Sequence, residues 1–223
     1  MGTHQPYTKE EHWKAFWRMF YQQKNANRII EIEITPGMRR EAKGFVQAVI
    51  HRKMREKHHQ LDSKYEWRRW MTGTLGEMVL EKFLDTHFRD RSIGHSSRYS
   101  IPDLAPLNLR IGVKSFRVGN FPLINRSRTN PDGTRQPLEG QGFIGISQDL
   151  TKAYLFGVAF DEQLFQNEQN PENEKYVKDS NALIRKTAFT DFDQLFFFES
   201  IEELRELASQ HDSLYIYPSD YAS

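Results

Sequence analysis

Residues 101–116 read IPDLAPLNLRIGVKSF: an acidic residue after a proline, a turn, and then a strand that carries a lysine. Successive side chains of a strand point to opposite faces, so Lys114 is predicted to share a face with Gly112. If residues 107–108 form the turn of a hairpin, Asp103 lies opposite Gly112 and about 5–8 Å from Lys114 across the ladder. An ordinary hairpin, with Asp103 in the turn and Lys114 in water, fits the same residues.

The segment before this hairpin, TGTLGEMVLEKFL at residues 72–84, is predicted to be helical. Glu77 lies at the edge of its apolar stripe, and Gly73 and Gly76 each cost about 1 kcal/mol relative to alanine, which predicts close approach to a strand. Alternatively, Thr74 caps the helix, with Glu77 at the third helical position. The stripe consists of Trp67, Trp70, Met71, Thr74, Leu75, Met78, Val79 and Phe83.

A Gly-Glu helix, then Pro-Asp, then Val-Lys-Ser in a strand resembles the PD-(D/E)XK nuclease superfamily, in particular small phage or bacterial members with a Gly-x-x-Gly-Glu helix. The resemblance covers residues 35–160. It implies an α/β fold of the restriction-endonuclease-like type, with a mixed β-sheet core flanked by helices. It also implies Mg²⁺ as the cofactor, with Mn²⁺ able to substitute.

The resemblance implies roles for individual side chains. Glu77 would be the helix carboxylate that helps to hold the metal, and Asp103 would be the central metal ligand. Lys114 would position or activate the attacking water and stabilise charge on the phosphate, and Val113 would offer its backbone carbonyl to the metal.

Gly112 departs from the family's pattern, which has an acid two residues before the lysine. Glycine has no ligand atoms, so the metal loses one carboxylate. Two accounts are compatible with the sequence: Glu77 moves in to compensate, or the chain is a nuclease altered at its site.

Length and composition set broad limits. The 223 residues are 38% apolar and 13% aromatic, enough for a core rich in aromatic side chains. The absence of cysteine excludes disulfides and thiolate metal sites and is typical of a cytoplasmic protein.

We expect an N-terminal helical arm at residues 1–34 and a single domain at 35–223, with a long loop at 117–142. No membrane segment or signal peptide is apparent.

The charges are unevenly distributed. Between residues 39 and 69 there are ten Lys or Arg against four Asp or Glu, whereas residues 161–223 carry fourteen acids against five bases. This asymmetry predicts a basic face for phosphates and an acidic face turned away from them. Two solvated faces without a partner are the alternative.

The basic residues fall into two groups. Thr35 and Pro36 predict the start of a helix. Its basic side carries Arg39, Arg40, Lys43, Arg52, Lys53, Arg55 and Lys57. The loop at 117–142 carries Arg117, Arg126, Arg128 and Arg135, interspersed with asparagines. Arg and Asn read guanine and adenine edges, so we predict that this loop reaches a nucleic-acid groove, a mobile surface loop being the alternative.

The remaining segments of the sequence are predicted to form the structural framework of the domain. We expect a helix at 12–22, strands at 28–34, 142–147, 152–160, 194–199 and 214–217, a polar loop at 163–179, and a helix from Ser200 to about residue 210. The pair His58 and His59 lacks further ligands at zinc-site spacing and is interpreted as surface. Nothing in the acidic half predicts chemistry, and we expect it to be scaffold or a dimer surface.

The leading functional prediction is a Mg²⁺-dependent DNA endonuclease of restriction or phage type that acts on double-stranded DNA. A homodimer is an arrangement that the resemblance implies. The alternative is a DNA-binding protein on the same fold that the gap at Gly112 leaves without hydrolytic activity. A structural or interaction module, whose charges only keep it in solution, is the third hypothesis.

Overall fold

A computed structural model describes residues 8–55, 63–93, 101–177 and 182–216, with the backbone alone at 53–55 and 63–65. The helices are α1 (Lys9–Asn25), α2 (Pro36–Arg55), α3 (Ser63–Leu84), α4 (Asp161–Glu168) and α5 (Ile201–Gln210). The strands are β1 (Ile30–Glu33), β2 (Ile111–Arg117), β3 (Leu123–Asn125), β4 (Gly140–Ile146), β5 (Lys152–Ala159) and β6 (Lys186–Ala188).

Four of these strands form one mixed sheet in the order β1-β5-β4-β2. β2 runs parallel to β4, while β4 with β5 and β5 with β1 are antiparallel. β3 and β6 form a separate two-stranded sheet. The prediction of an α/β protein with a mixed sheet flanked by helices is therefore confirmed at that level.

α2 and α3 cover one face of the sheet. The Thr35 hydroxyl accepts a hydrogen bond from the Met38 amide at 3.2 Å, as predicted for a threonine before proline at a helix start. Ala42 and Val46 of α2 are fully buried in the core. α3 is continuous from Ser63, so the alternative in which Thr74 caps a shorter helix is wrong.

Gly76 explains why α3 can approach the sheet closely. A Cβ at this position would overlap the side chain of Ser115 on β2, so only glycine permits the observed packing. Gly73, by contrast, has open space around it, and the predicted close approach is not found there.

The other face of the sheet is covered by an aromatic cluster that includes α1. Phe16 and Phe20 of α1 are buried against Phe116 and Phe156, whereas Trp13 on the same helix is 55% exposed. β1, from the predicted N-terminal arm, pairs with β5 of the main sheet.

The predicted hairpin at residues 101–116 is wrong. Ala105–Leu107 forms a 3-10 helix, and β2 pairs with β4 rather than with the segment before it. Pro106 is the physical reason: it cannot donate to a ladder, and its fixed φ suits the start of a helical turn. Asn108 follows this helical turn with a positive φ of 62°.

Two predictions in the acidic half are also wrong. The expected loop at 163–179 contains most of α4 and the 3-10 helix Pro171–Tyr176. The expected strand at 194–199 is reduced to one bridge, between Phe196 and Val158. The helix after Ser200 is confirmed, and the Ser200 hydroxyl accepts from the Glu203 amide at 3.1 Å.

The stretch at 117–142 is not a single loop. β3 lies within it and pairs with β6, and a turn at 130–134 is closed by a bridge between Thr129 and Arg135. Short-range patterns do not reveal β3 because its partner lies about sixty residues further along the chain.

Within the described residues, no helix is both long and apolar enough to cross a membrane. The predictions for Lys57, His58 and His59 fall outside those residues.

Candidate active site

Asp103 is fixed at the free edge of β2. Its Oδ2 accepts a hydrogen bond from the Val113 amide at 2.6 Å, and the Leu104 amide donates to the Ile111 carbonyl at 3.0 Å. The 3-10 turn between these residues folds the Pro-Asp segment back onto the strand. The predicted proximity of Asp103 and β2 is thus found, although a turn produces it instead of a ladder.

The carboxylate of Asp103 is influenced from several sides. Protein atoms around it raise its pKa by desolvation, although the residue is exposed on its outer side. The hydrogen bond from Val113 and the positive charge of Lys114 lower this pKa and so oppose the effect of desolvation. Asp103 is therefore electrostatically coupled to Lys114.

Glu77 faces Asp103 from α3. Both residues line a cavity of about 450 Å³ between α2, α3 and the segments at 88–92 and 101–106. Burial and the negative charges of Asp103, Glu81 and Asp90 together raise the pKa of Glu77 to about 8, and the positive charge of Arg89 opposes them. Among the described residues, none forms a hydrogen bond or ion pair with the Glu77 carboxyl.

Lys114 lies on the opposite face of β2 from Val113, as the alternation predicted. Val113 packs against the core under α3, whereas Lys114 lines a smaller cavity with Glu139 and Gln141. Burial and the positive charge of Lys186 together lower the pKa of Lys114 to about 8, with the negative charge of Asp103 opposing them. Its ammonium has no hydrogen bond or ion pair with another described residue.

The structure thus relates both of the other predicted side chains, Glu77 and Lys114, to Asp103. Glu77 shares a cavity with it, and Lys114 is coupled to it from the other side of the strand. Glu77 and Lys114 do not line the same cavity.

Arg89 was missed by the sequence analysis. Glu81 accepts hydrogen bonds from the amides of Phe88 and Arg89 at 2.9 and 2.8 Å, which holds Arg89 in the wall of the larger cavity. Its Nη2 bonds Glu41 at 2.5 Å, and Nε forms an ion pair with Glu81 at 3.9 Å, but neither Nε nor Nη1 has a hydrogen-bond partner among the described residues. Unsatisfied guanidinium donors in a cavity wall suit an anionic ligand.

Glu139 and Lys186 were also missed. Glu139 lies just before β4, and a Cβ on Gly112 would overlap its carboxylate. Lys186 is on β6, and its charge acts on Lys114. No local pattern marks either residue: the pairing of β2 with β4 places Glu139 beside Gly112, and the separate sheet of β3 and β6 carries Lys186 near Lys114.

Three of the arginines predicted to bind DNA are bonded within the protein. Arg117 donates to the carbonyl of Ser147 at 2.6 Å. Arg126 donates to the carbonyl of Leu183 at 2.9 Å and to Glu174 at 3.1 Å. Arg135 forms two 2.5 Å bonds to Asp161 and lies over the ring of Phe165 at 4.2 Å.

The other predicted contacts are on the surface. Arg40 and Lys43 on α2 and Arg128 in the 117–142 stretch are exposed, and Arg39 is half-buried. A polyanion could therefore reach these four side chains from solvent.

The ligand set limits the kind of metal site. Within the described residues, no group of three or more His, Cys, Asp or Glu side chains lies close enough to hold an ion. Mg²⁺ is commonly bound by one or two carboxylates, with water and phosphate oxygens completing its shell. Asp103 with one neighbouring carboxylate fits that pattern and does not fit an all-protein cage.

Comparisons with family models, with curated proteins and with solved structures found no match to this chain.

Proposed function

We propose that this protein is a metal-dependent DNA endonuclease that hydrolyses phosphodiester bonds, with a restriction-endonuclease-like core. One observation carries the proposal. Glu77 of α3 lines one cavity with Asp103, and Asp103 is bonded to β2 at the residue next to Lys114. Neither Glu77 nor Lys114 has a hydrogen-bonded or ionic partner among the described residues. Half-buried ionisable groups without partners cost stability, and they are typical of sites that bind and react.

The chemistry follows from these groups. Asp103 and a second carboxylate would hold the metal, and the Val113 carbonyl is adjacent to them in the chain. A bound Mg²⁺ would neutralise charge on the phosphate and favour ionisation of a water ligand. Lys114 would donate to a phosphate oxygen and orient the water, and with its pKa near 8 it can exchange a proton close to neutral pH.

The surroundings of the site favour a polyanionic substrate. Arg89 presents buried donors beside the carboxylates, and Lys186 adds positive charge beside Lys114. The exposed basic residues of α2 extend this positive surface, so binding is expected to weaken as salt rises. Double-stranded DNA is the substrate that the resemblance implies.

The test is nicking of supercoiled plasmid in Mg²⁺ or Mn²⁺. We expect the wild type to nick, and Lys114→Ala to reduce the rate by about 10³-fold because the phosphate and the water lose their positioned donor. The matched control is Lys14→Ala, which removes an exposed lysine of α1 that pairs with Glu10. A wild type that is inactive with both metals would refute the proposal, as would an unaffected Lys114→Ala.

The glycine at 112 favours a second candidate, a DNA-binding protein without hydrolytic activity. Salt-sensitive DNA binding by the wild type, with no cleavage in any divalent metal, is the result that would select it.

A further inference from the structure

The space above Gly112 is already filled. A Cβ built on Gly112 would overlap the Glu139 carboxylate and would lie 3.0 Å from Nε2 of Gln141. Gly112 pairs with Gln141 in the parallel register of β2 and β4. The carboxyl group of Glu139 therefore occupies the position where a side chain at 112 would begin.

The position of Glu139 is set by the surrounding backbone. The Gly140 amide donates to the Arg110 carbonyl at 3.1 Å, and the Leu138 amide donates to Asp161 at 2.7 Å. The side-chain amide of Gln141 donates to the Glu139 carbonyl at 3.3 Å and to the Glu139 carboxylate at 3.4 Å. Both neighbours of Glu139 are thus tied down, and its side chain is directed over β2 by the pairing of the two strands.

Glu139 lies on the same face of β2 as Lys114, whereas Glu77 lies on the α3 side. Glu139 and Lys114 line one cavity, and the negative charge of Asp103 acts on Glu139. Glu77 shares its cavity with Asp103 but not with Lys114. Of the carboxylates of Glu77 and Glu139, it is therefore that of Glu139 that lines a cavity with the lysine.

We propose that Glu139 supplies the carboxylate that Gly112 lacks, so that Asp103 and Glu139 together hold the divalent ion beside Lys114. This inference rests on the proposed function, and it replaces the account in which Glu77 compensates. Two carboxylates from different strands, completed by water and phosphate oxygens, make a ligand set that suits Mg²⁺. Position 112 then needs to be glycine because the neighbouring strand already fills its space.

The first test measures binding of Mn²⁺ alone to the full chain by electron paramagnetic resonance, without DNA. We expect Glu139→Gln and Asp103→Asn each to weaken Mn²⁺ binding by about tenfold or more, because each removes a charged ligand. Glu77→Gln is expected to change it much less. The control is Glu162→Gln, which removes an exposed carboxylate of α4. Wild-type binding by Glu139→Gln, or a loss confined to Glu77→Gln and Asp103→Asn, would overturn the inference.

The second test moves the carboxylate from one strand to the other. Gly112→Glu alone is expected to lower the melting temperature, because its side chain overlaps Glu139. Glu139→Ala alone loses Mn²⁺ binding. The double variant Gly112→Glu/Glu139→Ala is expected to bind Mn²⁺ more tightly than Glu139→Ala. A folded double variant with no recovery contradicts the inference, and Glu139→Gln still decides the question if the double variant does not fold.

The two proposals fail in different ways. If Mn²⁺ binding depends on Glu139 but the wild type cleaves no DNA, the endonuclease proposal fails and the ligand assignment stands. If the wild type cleaves and Lys114→Ala does not, while Glu139→Gln cleaves normally, the endonuclease proposal stands and Glu139 is not the ligand.

Discussion

Two sets of charged side chains lie a short distance apart in the sequence and behave in opposite ways. The arginine set, Arg117, Arg126 and Arg135, is bonded to carbonyls and carboxylates of the same chain, although Nε of Arg117 has no hydrogen-bond partner among the described residues. The site charges are Glu77, Asp103, Lys114 and Glu139. Asp103 and Glu139 accept hydrogen bonds from amide groups, Glu77 and Lys114 have no hydrogen bond or ion pair with a described residue, and no salt bridge joins any two of the four. Charge that the fold satisfies is structural, whereas charge that the fold leaves unsatisfied is available to a ligand.

The largest expected effect is loss of cleavage without loss of folding. Asp103→Asn should reduce plasmid nicking by about 10³-fold or more, since the central ligand loses its charge. Thermal melting of the variant should stay close to that of the wild type. If Asp103→Asn unfolds the protein, Asp103 belongs with the structural charges and the contrast between the two sets fails.

Arg135→Ala tests the other side of the comparison. It removes the paired bonds to Asp161 and the contact with Phe165, and it should lower the free energy of unfolding by about 1–2 kcal/mol. Urea denaturation measures this loss, and metal-dependent nicking at a temperature where the variant is folded should be unchanged. A selective loss of nicking would move Arg135 into the site.

The site charges should also reveal themselves in the pH dependence of stability. Lys114 has its pKa lowered from 10.5 to about 8, so its cost to the folded state is complete below pH 8 and disappears as pH rises to 10.5. Lys114→Met should therefore be more stable than the wild type at pH 7, and this advantage should vanish towards pH 10.5 in urea titrations.

Glu77→Gln should show the opposite pH dependence. The pKa of Glu77 is raised from 4.5 to about 8, so the folded state is penalised increasingly as pH rises through that interval. The variant should match the wild type near pH 4.5 and exceed its stability above pH 8. Equal curves for variant and wild type would mean that the Glu77 carboxyl is solvated.

The smallest expected effect concerns the exposed basic residues. Arg128→Ala should weaken DNA binding by only a few fold and reduce the salt slope by about one, as expected for one phosphate contact. Arg40→Ala and Lys43→Ala on α2 should behave similarly in fluorescence anisotropy. If none of the three alters binding, the DNA approaches by another surface.

Local patterns predicted those elements that local forces determine. The start of α2 depends on Thr35 and its neighbour Pro36, and the start of α5 depends on Ser200, so short motifs were sufficient. The hairpin failed because Pro106 favours a 3-10 turn over a ladder. β3 was missed because its pairing with β6 is long-range, and propensity within a window carries no information about such partners.

By itself, the sequence determined which chemical groups are available: a Pro-Asp turn, a strand lysine, a helix glutamate and a glycine in place of the expected acid. The tertiary structure alone decided which of them meet. It bonds three loop arginines internally, brings Lys186 to Lys114, and lays Glu139 over Gly112 through the register of β2 and β4. The reason is physical: the pairing of strands and the packing of the sheets bring together residues that are far apart in the sequence. No short stretch of sequence encodes those contacts.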